Sequence, residues 1–348
     1  MSSAPIFLKN TWYVAAWAHE ISAGNLLPRT IAKVPLVFWR DRDGRVVALE
    51  DRCCHRAAPL SKGRLESDRV RCMYHGLLFD TTGQCVEIPS QEFIPPAAKV
   101  RAYPVVERFK WVWIWMGDPH QADPALIPDT HTLDDSGWRG IPGYMHFDAN
   151  YLLITDNLLD FSHLSYVHEN TLGGSAKYAA IRPKITRNGH SVRIERWLLD
   201  DEPAPFLHGL KTWPGNVDRW NIYHVVLPGV LLMDSGSAPT GTGAPQGDRV
   251  DAALFFGCQA VTPETEKTSH YFFQQSHGFA LEDPSVTQKL TQSVLAGFLE
   301  DKDMILAQQK ILDLDPDSPM LGMRMDVALA SFRAMLEKAI ADERAAVP

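Results

Sequence analysis

Through residues 10–120 apolar and polar positions alternate in short bursts, rich in the β-branched and aromatic side chains that suit a pleated, half-buried surface. NTWYVAAW, PLVFWR and RVVALED are three such runs, and the DRDG between the second and third predicts a hairpin. GLLFDTTGQCVEIPS adds strands about a TTG turn. In RAYPVVERFKWVWIWMGDP, Trp111, Trp113 and Trp115 recur at the two-residue period of one strand face, where indoles serve as core or interface rather than as cofactor ligands. The pattern predicts an all-β, antiparallel first domain. It runs into GDPHQADPALIPDTH, a Pro- and Asp-rich connector that places a boundary within 120–140, giving a first domain of 1–135 with its core at about 10–120 and a second of 136–348.

Beyond the connector the period changes. NYLLITDNLLDFSHLSYVHENTLG, residues 150–173, carries apolar side chains at 152, 153, 158, 159 and 164, which suits a helix with one polar face. Residues 175–275 return to strand patterning, with a turn at Asn188 and Gly189, the run RWNIYHVVLPGVLLMDSG, and two strands in ALFFGCQAVTPETEKTSHYFFQQS joined by a polar turn. AGFLEDKDMILAQQK is helical, and the closing PMLGMRMDVALASFRAMLEKAIADERAAVP reads as one long amphipathic helix packed on this domain. The fold class is therefore α+β, an all-β domain followed by an antiparallel sheet with helices. SGSAPTGTGAPQGD lacks a phosphate-cradling GKS in a strand–turn–helix setting, and supports no more than a flexible lid or a subunit contact.

Composition narrows the function. With 348 residues, 45% of them hydrophobic and 22% charged, the chain can bury two cores. Its formal net charge of -8 argues against nucleic acid as the main partner. Five cysteines, three of them between Cys53 and Cys72, do not form a disulfide framework and suit a reducing compartment. The opening MSSAPIFLKNTWYVAAW has no basic leader before an apolar core, and no apolar run approaches the ~18 residues of a membrane helix. The expected location is the cytoplasm, with no membrane contact.

Chemistry concentrates in two stretches. The first, RCCHRAAPLSKGRLESDRVRCMYHG, offers a Cys-x-His pair, Cys53 and His55, and a Cys-x-x-His pair, Cys72 and His75, each among turn-forming residues. A Rieske [2Fe–2S] centre needs two thiolates on one iron and two imidazoles on the other, and a Cys and a His on each of two loops supply that split. A structural zinc site uses the same ligand types but usually pairs like with like. Gly76 is expected to let backbone pass close to the cluster, where N–H groups bond to sulfur. Cys85 and Cys258 read as small apolar fillers.

The second stretch holds Asp156, Asn157, Asp160, His163 and His168. On a regular helix His163 and His168 would point about 140° apart, so a shared metal requires a wide turn or a helix end between them. Two satisfied core histidines are the plainer reading; two imidazoles and a carboxylate would make the facial triad of a non-haem Fe(II) oxygenase. Asp160 and Asp301 are both candidates for the acid, and spacing alone does not choose. Because no G-x-G-x-x-G follows a strand, electrons must come from another protein. Mid-strand Met233, Gln259 and Phe273 are candidates to face an apolar pocket beside the iron. His224, His270 and His277 are more simply structural.

These motifs, with KNTWYVAAW, APL, YHGL, DNLLDFSHLSYVH and TPETEKTSHYFF, resemble the Rieske non-haem iron oxygenases over nearly the full length. The likeness is greatest to the group of vanillate O-demethylases and toluenesulfonate methyl-monooxygenases, which includes dicamba demethylase, and RCCHR and APTGTGAP look most like the toluenesulfonate enzymes. Cys54 stands where that family commonly has Pro, and is read as an unligated neighbour. The resemblance implies a [2Fe–2S] cluster on Cys53, His55, Cys72 and His75, and a mononuclear Fe(II) on His163, His168 and Asp301. It makes Asn157 a non-ligating wall residue and Asp160 a bridge from His163 to His75 of the neighbouring subunit in a homotrimer. Glu300 and Asp303 are left as solvated helix charges. A separate NAD(P)H-dependent reductase is implied, with O2 and a small aromatic acid as co-substrates. The expected reaction is monooxygenation of a methyl or methoxy substituent; arene cis-dihydroxylation is the runner-up. A Rieske electron carrier without its own substrate is the reading from another class, against which the second domain counts.

Overall fold

A computed structural model describes residues 7–89, 91–172 and 177–346. The alternating runs near the N-terminus become three small antiparallel sheets. Trp12–Trp17 pairs with Trp111–Trp115, which pairs with Val105–Arg108; Leu27–Ile31, Val34–Arg40 and Val46–Glu50 form a second sheet; Arg64–Glu66, Arg69–Arg71, Leu78–Phe79 and Cys85–Glu87 form the third. The DRDG turn closes the hairpin as expected, Asp41 Oδ1 accepting from the Asp43 and Arg45 amides. All three indoles of Trp111, Trp113 and Trp115 are buried. Trp111 packs on Trp17 at 5.4 Å and Trp115 on Trp12 at 5.5 Å, which makes them core.

The chain divides into two compact units. The first runs to Ile127 and takes in Thr262–Glu266; the second holds Pro128–Val261 and everything from Lys267. The polar turn expected at TPETEK is thus not merely solvated. Its backbone accepts from Ala32 and Lys33, through the Pro263 and Glu264 carbonyls at 2.8 Å, and Thr262 Oγ1 donates to the Val14 carbonyl.

The second unit is built on a seven-stranded sheet in the order Gly143–Phe147, Ser269–His277, Ala253–Pro263, Val230–Pro239, Val217–Val226, Ser191–Asp201, Lys184–Asn188. Long antiparallel registers hold it, and Gly189 closes the last hairpin at φ 54°. Among the described residues four helices join it: α1 (Tyr151–Leu159), α2 (Lys177–Ala180), α3 (Pro284–Leu314) and α4 (Val327–Ala345). Asn150 caps α1 by accepting from the Leu152 amide, while its own N–H donates to Gln309 on α3. Asp156 on α1 takes a bidentate ion pair from Arg333 on α4, so that carboxylate is structural. Asp283 caps α3, with Pro284 in the first helical position.

Two expectations need correction here. The closing segment is not one helix: α4 begins at Val327, where Ala328, Ser331, Phe332 and Leu336 start the buried stripe, and Met320, Leu321 and Met323 before it are exposed. The APTGTGAP stretch is not built as a loose lid. Ala244 is buried against Trp220, Ala238 and Ala252, Thr242 Oγ1 bonds the Pro239 carbonyl at 2.8 Å, and the Arg249 guanidinium lies 4.0 Å over the Trp220 ring. No helix among the described residues is long and apolar enough to cross a membrane.

Candidate metal centres

The two Cys/His loops of the first unit have one backbone design. In the first, the Cys53 amide donates to Ala58 and the Ala57 amide to Cys53; in the second, the Cys72 amide donates to Leu77 and the Gly76 amide to Cys72, all at 2.8–2.9 Å. The fifth residue of each loop is left-handed, Ala57 at φ 56° and Gly76 at φ 79°. Asp51 ties down the base of the first loop by accepting from the Ser61 amide and hydroxyl. Arg71 ties down the second, donating to the Gly76 carbonyl at 2.7 Å while it pairs with Glu66 and Glu87.

This geometry buries both thiols in one apolar cluster with Val37, Trp39, Leu60, Val70 and Phe79, and leaves both imidazoles exposed, their ring centroids 4.5 Å apart. Burial, reinforced by the Cys72 thiol against an amide bond from His55, pushes the Cys53 thiol up to about 12. Thiolates at that depth require positive charge beside them. Cys54 is exposed, next to the buried Cys53 thiol. The expectation for Gly76 is corrected in its reason: its N–H is spent on Cys72, and glycine is needed because φ is positive and a Cβ would come within 2.8 Å of Pro89 Cγ.

In the second unit α1 ends at Leu159. Asp160 leaves helical geometry at φ -132°, and a short 3₁₀ turn, Phe161–Ser165, follows. That break is the helix end which a shared metal requires, and it is tight rather than wide. His163 and His168 come to 5.2 Å between ring centroids. Each imidazole is anchored through Nδ1, His163 on the Asp160 carbonyl at 2.6 Å and His168 on Glu300 Oε2 at 2.7 Å. Anchored so, both carry the proton on Nδ1 and turn Nε2 inward. Asp301 Oδ1, on α3, lies 3.4 Å from Nε2 of His163 and 3.1 Å from that of His168, and accepts from Asn157 Nδ2 at 2.9 Å. The three ligand-type atoms lie within 4.8 Å of one another. Burial disfavours charge on Asp301, but the imidazoles outweigh it and hold the carboxyl well below the usual range.

Between the two acids left open by spacing, Asp301 faces the imidazoles. The Asp160 carboxylate accepts from the Ser162 amide at 2.9 Å and hydroxyl at 2.7 Å, and meets His163 through its backbone carbonyl only. Arg196 is buried beside it, 3.8 Å from Oδ1 and 4.7 Å over the Tyr178 ring, and its Nε and Nη1 have no hydrogen-bond partner among the described residues. Asp303 is exposed. Glu300, by contrast, is no solvated charge: it accepts from Thr171 Oγ1 as well as from His168, both at 2.7 Å. Neighbouring helix positions point about 100° apart, and only the return of the chain through Thr171 makes both acids of the pair useful.

A pocket opens at the three groups. Met233 and Gln259 line it as expected, together with Leu158, Phe161, Phe298 and other apolar side chains. Phe273 does not: its ring packs edge-on against Phe298 at 4.9 Å. His270 bonds the Tyr144 hydroxyl at 3.0 Å, and His277 is used up by the Phe279 carbonyl and Thr287, so these two are structural. His224 lies outside the lining. Sequence reasoning passed over Asn221, Ser235 and Gln275, which also face the pocket; an isolated polar residue in an otherwise apolar strand was the available signal.

Residues 11–104 match the Rieske [2Fe-2S] domain, and residues 147–342 the vanillate O-demethylase oxygenase C-terminal domain. The chain belongs to the Rieske oxygenases of the vanillate O-demethylase family. It is 49% identical over 342 residues to the toluene-4-sulfonate monooxygenase system iron-sulfur subunit of Comamonas testosteroni, covering 97% of this chain and 98% of that one. The oxygenase component of dicamba O-demethylase from Stenotrophomonas maltophilia is 40% identical over 284 residues, 80% of this chain and 81% of the relative. The crystal structure of dicamba monooxygenase bound to dicamba superimposes with a TM-score of 0.87 at 34% identity, covering 97% and 99%.

This oxygenase is the oxygenase component of a Rieske monooxygenase, and its cofactors are a [2Fe–2S] cluster and a mononuclear non-haem iron. The donor sets fit both groups. Two buried thiols beside two exposed imidazoles suit the cluster better than a closed zinc site, and two Nδ1-anchored imidazoles with an acid and an open apolar side suit the iron. The dihydroxylating reading is not favoured, since the relatives are named as monooxygenases or demethylases.

Two substitutions test these frames. Gly76→Ala should destabilise the first unit by about 1–2 kcal/mol and lower the cluster content per chain, read by thermal unfolding and Rieske absorption; an unchanged melting curve at full cluster content would refute the backbone argument. Glu300→Ala should weaken retention of the mononuclear iron by about 10–100-fold in a chelator titration while the cluster spectrum stays intact. Equal retention would return Glu300 to the role of a surface charge.

Proposed function

We propose that this oxygenase hydroxylates a methyl group, or removes a methyl from a methoxy group, on a small aromatic acid such as a toluenesulfonate or a methoxybenzoate. Cys53, His55, Cys72 and His75 would hold the cluster, and His163, His168 and Asp301 the iron, with Asn157 steadying Asp301. Held there, the two groups would supply single electrons and O2 activation; each turnover would take O2, two electrons and two protons, leaving one oxygen atom in the product and one in water. For an ether, the hydroxylated carbon leaves as formaldehyde.

The carrying observation is the pocket beside the triad. Among the described residues its lining holds no lysine or arginine, and its polar side chains beyond the triad are neutral. Two of these are aimed. The Tyr178 hydroxyl donates to Asn221 Oδ1 at 2.8 Å and the Tyr271 hydroxyl to Gln259 Oε1 at 2.5 Å. Burial raises both phenols above their ordinary range, so they stay O–H donors; the N–H₂ end of Gln259 is then turned to a ligand, and that of Asn221, which donates one N–H to Met233 Sδ at 3.7 Å, has its second N–H to offer. Apolar walls would seat the ring, and the amide donors would accept an oxyanion without a salt bridge.

Electrons would come from a separate NAD(P)H-dependent reductase, in the cytoplasm, and the working form would be a homotrimer. There Asp160 would link the two centres, with its carboxylate toward His75 of a second copy and its backbone carbonyl on His163. Ser162 holds that carboxylate and Arg196 lies beside it, so it is pre-oriented rather than free to swing.

Product analysis over a panel of methylbenzenesulfonates and methoxybenzoates, with a surrogate reductase, should give benzylic alcohols or formaldehyde. Cis-diols from the same panel would sink the reading. Asp160→Asn should retain both metals yet slow turnover by about 10–100-fold; near-normal turnover removes the bridge.

A further inference from the structure

Several cations of the first unit sit in ion pairs. Arg29 pairs with Glu20, Arg40 with Glu107, Arg42 with Asp68, Arg45 with Asp43, and Arg64 and Arg71 with Glu66. Four others lie together, and none of them forms an ion pair among the described residues. Arg52, Arg56, Lys99 and Arg101 surround a recess of about 400 Å³ whose floor is Cys53, Cys54 and His55, and Glu50 is its single acid. Arg52, Arg56 and Lys99 are exposed. The Arg101 guanidinium is held over the Tyr103 ring and by the Met116 and Gly117 carbonyls, and among the described residues it forms no ion pair.

The placement is selective. The chain carries a formal net charge of -8, so an acidic protein approaching at random is repelled. The recess with unpaired positive charge opens on the loop that carries Cys53 and His55. Electron transfer falls off steeply with distance, so a donor protein must settle close to those residues, and an acidic face is the one this rim would attract and orient.

We infer that the Arg52–Arg56–Lys99–Arg101 recess is the docking surface for the acidic face of a one-electron donor protein. The inference rests on the reading that electrons arrive from a separate protein. Its partner is defined by charge and redox type: a small carrier, or reductase domain, with carboxylates clustered around its own exposed redox centre. Positive charge on this side would steer encounter and raise the association rate, and salt would screen it.

The test uses the full holoenzyme and a reduced plant-type [2Fe–2S] ferredoxin as the probe. Stopped-flow absorption follows reduction of the oxygenase cluster. In the wild type, the second-order rate should fall steeply between low and high salt. In Arg52→Glu/Arg56→Glu/Lys99→Glu it should drop about tenfold or more at low salt and lose most of its salt dependence, while Arg52→Lys/Arg56→Lys stays near wild type. Reduction by dithionite should be equal in all three proteins, which separates a docking defect from damage to the cluster. The inference is overturned if the charge-reversed protein keeps the wild-type rate and salt slope. It is also overturned if the reversal leaves ferredoxin reduction unchanged but alters the sedimentation coefficient, which would make the rim a contact between copies of this chain. Should the wild type take electrons from dithionite and turn over but show no salt-dependent reduction by ferredoxin, the oxygenase reading survives and the docking surface does not.

Discussion

The second unit is organised around a buried carboxylate. Asp301 Oδ1 accepts from Nδ2 of Asn157 and faces the unprotonated Nε2 atoms of His163 and His168, so an ionised oxygen this far from water is tolerable with a cation held among the three groups. Everything nearby serves to deliver them. Helix α1 has to run as far as Asn157 and then stop, so that His163 rejoins the site from the following turn. Its two ends are fixed independently, by the Asn150–Gln309 bond to α3 and the Asp156–Arg333 pair to α4. The break at Asp160 is thereby held in register with Asp301, which sits halfway along a 31-residue helix.

The first unit solves a different problem with paired loops. Its thiols are inside and its imidazoles outside, because each loop turns back on its cysteine through the same pair of backbone bonds. The thiol side is shielded by Trp39, Leu60 and Phe79 and gains low dielectric. The imidazole side remains reachable. A cluster held on these four side chains would thus have one shielded face and one open face, a division set by backbone geometry rather than by ligand type.

How much of this could be read beforehand follows from how local each signal is. The hairpin at DRDG, the Cys/His loops and the helix end before His163 depend on residues a few positions apart, and they appear where the sequence put them. The indoles of Trp111, Trp113 and Trp115 were legible as core for the same reason. Glu300 was not, since its value comes from Thr171 and His168, more than a hundred positions away, and nothing on its own helix distinguishes it from Asp303. Phe273 failed differently. Alternation gives the face of a strand but not which neighbour covers that face, and Phe298 covers it. Gly76 was picked out correctly for a partly wrong cause, because the close neighbour is Pro89, from a separate segment.

Charge is sorted between the two centres in a way that physical economy explains. A fixed cation near the iron triad would repel a divalent metal: at 8 Å and an effective dielectric of 20 the cost is about 4 kcal/mol. Neutral amides fixed by Tyr178 and Tyr271 avoid that penalty, and can still bind an oxyanion, since desolvated N–H donors gain strength in an apolar pocket. Arg196, the nearby guanidinium, is kept behind Tyr178 and beside the Asp160 carboxylate, outside the pocket lining. At the cluster loops that constraint is absent. The recess beside Cys53 and His55 is lined by Arg52, Arg56, Lys99 and Arg101 with no bare metal ion to be admitted, so cations there carry no such penalty. The same side-chain type is therefore excluded from one centre and gathered at the other.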